Sequence, residues 1–431
     1  MDETRRDNPK PRLSVGADAD RPLRFALTGT FHSLNRGDSA MQLAAATALR
    51  ERWPRAQIAI HTPYPDDDRA LYEELEVVAC SRRRPLTGLK ALAQASLWHA
   101  TGRRAPLSPE LWSYRNACAV IDLSGDGLTE TFGWQCPVSH TVPLLLAYLM
   151  KTPFCLMAQT IGPFGLLRPW FRWVFRRAAF ITARDEETFR YLADWNLPCP
   201  VEQTADLAFL LEPVAADEAK QCLRSLGHFD AARPLIGVTP STLYNVQTEQ
   251  RENGHFAMQE YAPHVAAACQ TLAREVAAQI LIVPHVFGPG ERYDDRRAAE
   301  SLAALIKSPT PEPLVIQDPL TPPQLKAIIG CCDLFIGMRM HSVIAAVSQS
   351  VPTLALAYSP KLVGLMNRLG QKRFVLPCDQ LNEARVTHLA QDLWAMRSAV
   401  RAALGQKLRE DILPAARRNL DALDRYIAAG K

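Results

Sequence analysis

The sequence predicts an α/β chain of two Rossmann-like domains facing a cleft, and three observations predict it. The 431 residues exceed what one hydrophobic core usually organises, and at about 150 residues per domain they suggest two or three domains. From Leu23 onward short apolar runs alternate with helical segments, the order that builds a parallel sheet covered by helices. The alternation restarts after a Pro-, Ala- and Asp-containing stretch at 212–217, giving two series of similar size.

In the first series the strands are expected at 23–29, 58–62, 119–124, 154–158 and 180–183, with helical periodicity clearest at 39–52, 141–150 and 186–195. In the second they are expected at 235–239, 280–284, 314–317, 334–337 and 353–357, with helices at 261–277, 295–306, 323–329, 341–349 and 360–369. The Ala- and Arg-rich end, 384–429, reads as helices closing the second domain and returning toward the first. The division is a flexible arm at 1–21, an N-terminal domain at 22–212, a linker at 213–232, a C-terminal domain at 233–395 and C-terminal helices at 396–431. In such open α/β sheets, ligands bind near the carboxyl ends of the strands.

Composition narrows the function classes. With 48% apolar and 22% charged residues, a disordered, collagen-like or disulfide-scaffold chain is excluded. A net charge of +4 is too small for a nucleic-acid partner to be expected, so any role for basic charge is local. The longest strongly apolar run, 142–150, is far short of the ~20 residues that span a bilayer. The polar start shows no secretory signal, and the 10 cysteines are scattered without metal or redox spacing, so a cytoplasmic protein with reduced thiols is expected. No metal-ligand cluster, GxSxG, P-loop or HExxH is present; no metal or cofactor is expected, and Ser-nucleophile chemistry is disfavoured.

The first strand leads to Asn35-Arg36-Gly37-Asp38 and a helix. A Gly-containing turn feeding a helix N-terminus offers backbone N–H groups to a polar or anionic ligand, although Asp38 acting only as a helix cap is an equal reading. After 119–124 come Gly125-Asp126-Gly127-Leu128 and a long loop to His140, where glycines allow a close backbone approach and a plain turn stands as the alternative. Arg184 follows another strand directly, with Asp185 available to cap the following helix; its guanidinium suits a carboxylate or phosphate, against the commoner case of a surface Arg paired with a helix-start acid. The most informative stretch is Gly337-Met338-Arg339-Met340-His341-Ser342 with Ala357-Tyr358-Ser359-Pro360-Lys361. An apolar strand ending in Gly, then Arg and His two apart, brings a permanent cation and a proton-transfer group to one helix start. Lys361 follows the next strand and so falls at the same sheet edge. Pro284-His285 is a second histidine candidate.

These motifs, with Gln159-Thr160-Ile161-Gly162-Pro163-Phe164, Thr204-Ala205-Asp206 and Asp294, run in order across residues 23–370 and together resemble the polysaccharide pyruvyltransferase family. Where that family commonly has three consecutive glycines this chain has Ser124-Gly125-Asp126-Gly127, which leaves the contacts of that loop open. The resemblance implies a fold like GT-B glycosyltransferases, phosphoenolpyruvate as co-substrate and a glycan or lipid-linked oligosaccharide as acceptor. The product implied is a pyruvate ketal on two sugar hydroxyls, with phosphate released. It places Arg184, Arg339, His341 and Lys361 at the donor site as catalytic residues, with the first domain on the acceptor side. Asn35, Gly37, Asp38, Gly125, Gly127, His140, His285, Ser342 and Tyr358 are the substrate-binding candidates. The donor's carboxylate and phosphate call for several cations at fixed geometry, and His341 would act as acid or base, a role worth ~10²–10⁴-fold in rate.

Two rival readings share the architecture: a nucleotide-sugar-dependent glycosyltransferase, and a non-catalytic glycan-binding relative. Two segments are rich in basic residues, 81–107 with Arg82, Arg83, Arg84, Lys90, Arg103 and Arg104, and 169–177, where Arg168 just ahead of it, Arg172 and Arg176 fall four apart beside Trp170, Trp173 and Phe175. They raise the expectation of a peripheral position on an anionic membrane surface at the inner face of the cytoplasmic membrane. For the second segment, aromatic side chains packed into the first domain are the favoured reading.

Overall fold

The computed structural model describes residues 22–242, 261–307 and 312–430, so the expected arm at 1–21 lies outside the described residues. The chain forms two compact units. Unit 1 holds the described residues up to Phe31, Ala45–Asp206, and the chain from Arg417 on; unit 2 holds His32–Ala44 and Leu207–Ala416.

In chain order the elements up to Asp206 are β1 (Arg24–Thr28), α1 (Arg36–Arg52), β2 (Gln57–Thr62), α2 (Pro65–Asp68), β3 (Glu76–Ala79), α3 (Pro85–Ala100), α4 (Pro109–Asn116), β4 (Ala119–Asp122), α5 (Gln135–Leu149), β5 (Phe154–Gln159), α6 (Arg168–Phe175), β6 (Ile181–Ala183), α7 (Glu186–Ala193) and β7 (Val201–Gln203). The remainder are α8 (Ala216–Ser225), β8 (Leu235–Thr239), α9 (Tyr261–Val276), β9 (Gln279–Ile282), α10 (Asp295–Leu305), β10 (Leu314–Val315), α11 (Pro322–Gly330), β11 (Leu334–Gly337), α12 (Met340–Val347), β12 (Thr353–Ala357), α13 (Pro360–Arg368), β13 (Val375–Pro377), α14 (Glu383–Lys407) and α15 (Leu413–Ala429).

Each unit is built on one parallel sheet. The order is β3-β2-β1-β4-β5-β6-β7 in unit 1 and β10-β9-β8-β11-β12-β13 in unit 2, so both reverse direction beside their first strand. A parallel sheet buried on both faces needs continuous apolar strands, and Phe25–Leu27, Phe154–Ala158, Leu334–Ile336 and Leu354–Ala357 are all buried. In unit 2 Gly337 pairs level with Thr239 of β8 and with Ala355 of β12. The residues that follow these three strands therefore leave the sheet at one edge, beside the switch point where such folds place ligands.

Three edge strands, β3, β7 and β13, were not expected from local pattern, being only 4, 3 and 3 residues long. The expected linker at 213–232 carries α8, whose Ala219 and Leu223, one turn apart, are buried in the core of unit 2. Residues 32–44, counted with the N-terminal domain in the sequence division, pack with unit 2. The loop expected to reach His140 is shorter, since α5 starts at Gln135 and carries His140 on its buried side.

The C-terminal segment is pinned to unit 1 by one buried amide. Asn419 accepts from the hydroxyls of Thr182 at 2.5 Å and Thr204 at 3.0 Å, and its Nδ2 donates to the carbonyl of Ala205 at 2.9 Å. Asn419→Ala takes this partner from the Thr182 hydroxyl and the Ala205 carbonyl, at about 1–3 kcal/mol for each buried group, while the Thr204 hydroxyl keeps the Ala183 carbonyl at 3.4 Å. The expected outcome in urea unfolding is a loss of at least about 2 kcal/mol; unchanged stability would show that this amide does not anchor the segment.

Candidate active site

The carboxyl edge of unit 2 gathers side chains from four of its strands. Thr242 follows β8, His285 follows β9, Arg339 and His341 follow β11, and Tyr358 and Lys361 follow β12. At the centre is the carboxylate of Asp295, at the start of α10 and fully buried. Its Oδ1 accepts from Arg339 Nη2 at 2.5 Å, Thr242 N at 3.0 Å and Thr242 Oγ1 at 3.1 Å. Its Oδ2 accepts from Arg339 Nε at 2.9 Å and Val286 N at 3.1 Å. One carboxylate thus ties together the ends of β8, β9 and β11, and it fixes the plane of the Arg339 guanidinium.

Arg339 was expected as a cation awaiting an anion. It is instead already paired, with a side chain only 7% exposed, and Asp295 holds its charge against the opposing effect of burial. Asp295 itself escaped the sequence reading, which singled out its neighbour Asp294. The only signal was an acidic residue one position later at the same helix start, and Asp294 is the side chain that caps α10.

Residues 32–44 complete this edge. Asn35 forms an antiparallel bridge with Val286, Arg36 N–H donates to the His285 carbonyl at 3.1 Å, and Phe287 N–H donates to the Leu34 carbonyl at 2.9 Å. The Arg36 guanidinium donates to the carbonyls of Ser33 at 2.9 Å and Pro319 at 2.5 Å. Asn35 Oδ1 accepts from Gly37 N–H at 3.1 Å, while Asp38 sits half-buried within the first turn of α1. The cap expected from Asp38 therefore falls to Asn35. Gly37 is required by space: a Cβ there would lie 2.2 Å from His341 Nδ1. The Asn-Arg-Gly-Asp motif thus packs its glycine against the candidate proton-transfer group.

His285 is 4% exposed, and neither ring nitrogen meets a hydrogen-bond partner among the described residues. Burial, then His341, Arg339 and Arg36 around it, push its pKa well below the usual imidazole value, so the ring is neutral. Ser342 is consumed locally, its hydroxyl donating to the Arg339 carbonyl at 2.8 Å within α12. Lys361 lies in the first turn of α13, which Ser359 caps.

Unit 1 has a corresponding edge. Arg184, just past β6, donates from Nη1 to Asp206 Oδ2 at 2.7 Å and from Nε to Thr160 Oγ1 at 2.9 Å, with both charged side chains 2% exposed. Asp206 is its buried ion-pair partner, while Asp185, which adds to the negative field there, caps α7 as the sequence allows, accepting from Thr188 N–H at 2.7 Å. Asp126, between Gly125 and Gly127, adds to the negative field at Arg184. His140 is not a loop residue: it is buried in α5 against Gly127, where a Cβ would come within 2.4 Å of the ring. Arg82 Nη1 lies 2.6 Å from His140 Nδ1 and donates to the Gly29 carbonyl at 2.8 Å, and Nη2 donates to the Thr30 carbonyl at 2.7 Å. Burial and Arg82 keep His140 neutral. Arg82, expected in a basic surface, is thus a buried clamp on the loop after β1. Of the four expected catalytic residues, Arg339, His341 and Lys361 share the edge of unit 2, and Arg184 belongs to unit 1.

Residues 35–360, a span that opens at the Asn35 bridge and takes in both edges, match the family described as polysaccharide pyruvyl transferase. The chain belongs to this family. Among relatives of the pyruvyl transferase, amylovoran biosynthesis protein AmsJ of Erwinia amylovora is 24% identical over 309 residues, which cover 68% of this chain and 72% of that protein. A UDP-GlcNAc 2-epimerase from Neisseria meningitidis, bound to UDP-GlcNAc, superposes with a TM-score of 0.59 at 11% identity, over 93% of this chain and 99% of that one. A glycosyltransferase from Rickettsia africae gives 0.55 at 10% identity, over 95% and 99%. These structures carry the fold alone, two parallel-sheet α/β domains as in GT-B enzymes, which the sequence had led us to expect.

Gly37→Ala in the pyruvyl transferase forces a methyl group onto the His341 ring. The expected outcome is a fall in turnover of at least about tenfold with a thermal midpoint near that of wild type, since a displacement of about 1 Å at a reacting group suffices for such losses. Wild-type turnover in a steady-state assay would show that this contact does not position His341.

Proposed function

We propose that this transferase moves the pyruvyl group of phosphoenolpyruvate onto two hydroxyls of one sugar in an exopolysaccharide, capsule or cell-wall glycan precursor. A pyruvate ketal forms and phosphate is released. Membership of the pyruvyl transferase family and the likeness to AmsJ, named for amylovoran biosynthesis, support the class of reaction. The observation that carries the donor assignment is His285, a buried imidazole whose two nitrogens meet no partner among the described residues, beside Arg339, Arg36 and His341. Burying a polar ring without partners is costly, and an oxygen acceptor on the ligand removes that cost at the nitrogen that carries the proton.

In this reading Arg339, oriented by Asp295, and Lys361 hold the carboxylate and phosphate of the donor. His285, neutral throughout, offers an N–H to a donor oxygen without competing for the transferred proton, the use that enzymes make of imidazoles with a strongly lowered pKa. His341 delivers a proton to C3 of the enol, which makes C2 electrophilic. One sugar hydroxyl adds to C2 and loses its proton; the second displaces phosphate and loses its own. Of the two protons released, one balances that taken up at C3 and the other leaves with the phosphate.

The test is phosphate release from phosphoenolpyruvate that depends on added glycan. His341→Ala is expected to lower that rate by about 10²-fold or more while donor affinity stays within a few-fold. Turnover supported by a nucleotide sugar in place of phosphoenolpyruvate, or an undiminished rate in His341→Ala, would overturn the reading.

A further inference from the structure

One side of unit 1 presents an apolar and cationic surface that the reaction does not use. Helix α3 is apolar on two faces: Gly88, Ala91, Ala95 and Trp98 are buried, while Leu86, Leu89 and Leu97 are 79%, 63% and 55% exposed. Large apolar side chains grouped on the outward face of a helix mark an interaction surface. Around α6 the pattern repeats: Phe171, Val174 and Phe175 enter the core, and Leu166, Trp170 and Trp173 are 99%, 37% and 41% exposed. The indole rings of Trp170 and Trp173 stack at 5.2 Å and face outward, against the expectation that they pack into the domain.

The two helices share a common neighbour, α5. Both pack on α5 in one core cluster, and their carboxyl ends meet its last turn: His99 of α3 bonds the Leu149 carbonyl, and Arg177 after α6 lies over the ring of Tyr148. The charge of this side is one-signed along the chain. No acidic residue occurs at 81–109 or 163–184, whereas Arg84, Lys90, Arg103, Arg104, Arg168, Arg172 and Arg176 are exposed. Arg168, Arg172 and Arg176 line an open groove of about 430 Å³ with Trp173 and Trp195, facing the single carboxylate of Asp194.

We propose that this side of unit 1 docks on the surface of an anionic phospholipid bilayer. Outward leucines enter the acyl boundary, the stacked indoles sit at headgroup level, and the arginine-lined groove takes lipid phosphates. A second copy of the chain does not fit the same face, because a symmetric contact would set like charges against each other.

The test is sedimentation of the full chain with phosphatidylcholine vesicles with and without phosphatidylglycerol, at low and high salt, alongside light scattering without lipid. Wild type should sediment with the anionic vesicles at low salt and be released by high salt. Leu89→Ser/Trp170→Ser should weaken partitioning by about tenfold or more, and so should Leu86→Ser/Leu166→Ser, whose side chains take no part in the core. Neither pair should change phosphate release with a water-soluble acceptor. No sedimentation at low salt, equal binding to pure phosphatidylcholine, undiminished binding by the Leu86→Ser/Leu166→Ser chain, or a dimer in solution that Leu89→Ser abolishes would each overturn the proposal.

Discussion

The carboxylate of Asp295 is the constraint on which the edge of unit 2 depends. Three strands already paired in the sheet are tied together beyond their ends by one buried anion, which accepts two backbone N–H groups, a hydroxyl and both arms of one guanidinium face. Taking a carboxylate and a guanidinium out of water costs several kcal/mol per ion, and only excellent geometry with the remaining lone pairs satisfied offsets it. That geometry is present here, so the pair serves orientation more than stability. A second pair, Arg184 and Asp206, repeats the device at the edge of unit 1.

This arrangement changes how the cations act. An unpaired Arg339 would be a strong but loosely directed anion binder; paired, it offers a weaker field in a fixed plane. Catalysis rewards the second option, because interactions in a preset direction need no reorganisation when charge moves in the reacting group. The same logic covers the two imidazoles. Gly37 leaves room for His341, and burial, with His341, Arg339 and Arg36 around the ring, keeps His285 neutral, so two rings of one residue type stand in different surroundings.

Much of this was legible in the sequence, for definite reasons. Central strands such as Leu235–Thr239, Leu334–Gly337 and Thr353–Ala357 are buried on both faces and read as unbroken apolar runs, so their bounds and the edge they share follow from local pattern. Arg339, His341 and Lys361 fall at that edge because parallel strands leave the sheet in one direction. What stayed hidden depends on long-range pairing. The pairing of Arg184 with Asp206, and the burial of Arg82 against His140, follow from chain segments 22 and 58 positions apart. The edge strand Val201–Gln203 is short and only half-buried, so its apolar signal is weak.

The central claim is that Asp295 orients Arg339 toward an anionic donor, and calorimetric titration of phosphoenolpyruvate into wild type and Asp295→Asn tests it most directly, with circular dichroism confirming that the variant is folded at the temperature used. The account predicts that affinity falls by about tenfold or more, because a misdirected guanidinium loses its bidentate geometry. Equal or tighter binding by the variant would show that the carboxylate merely masks charge, and would contradict it.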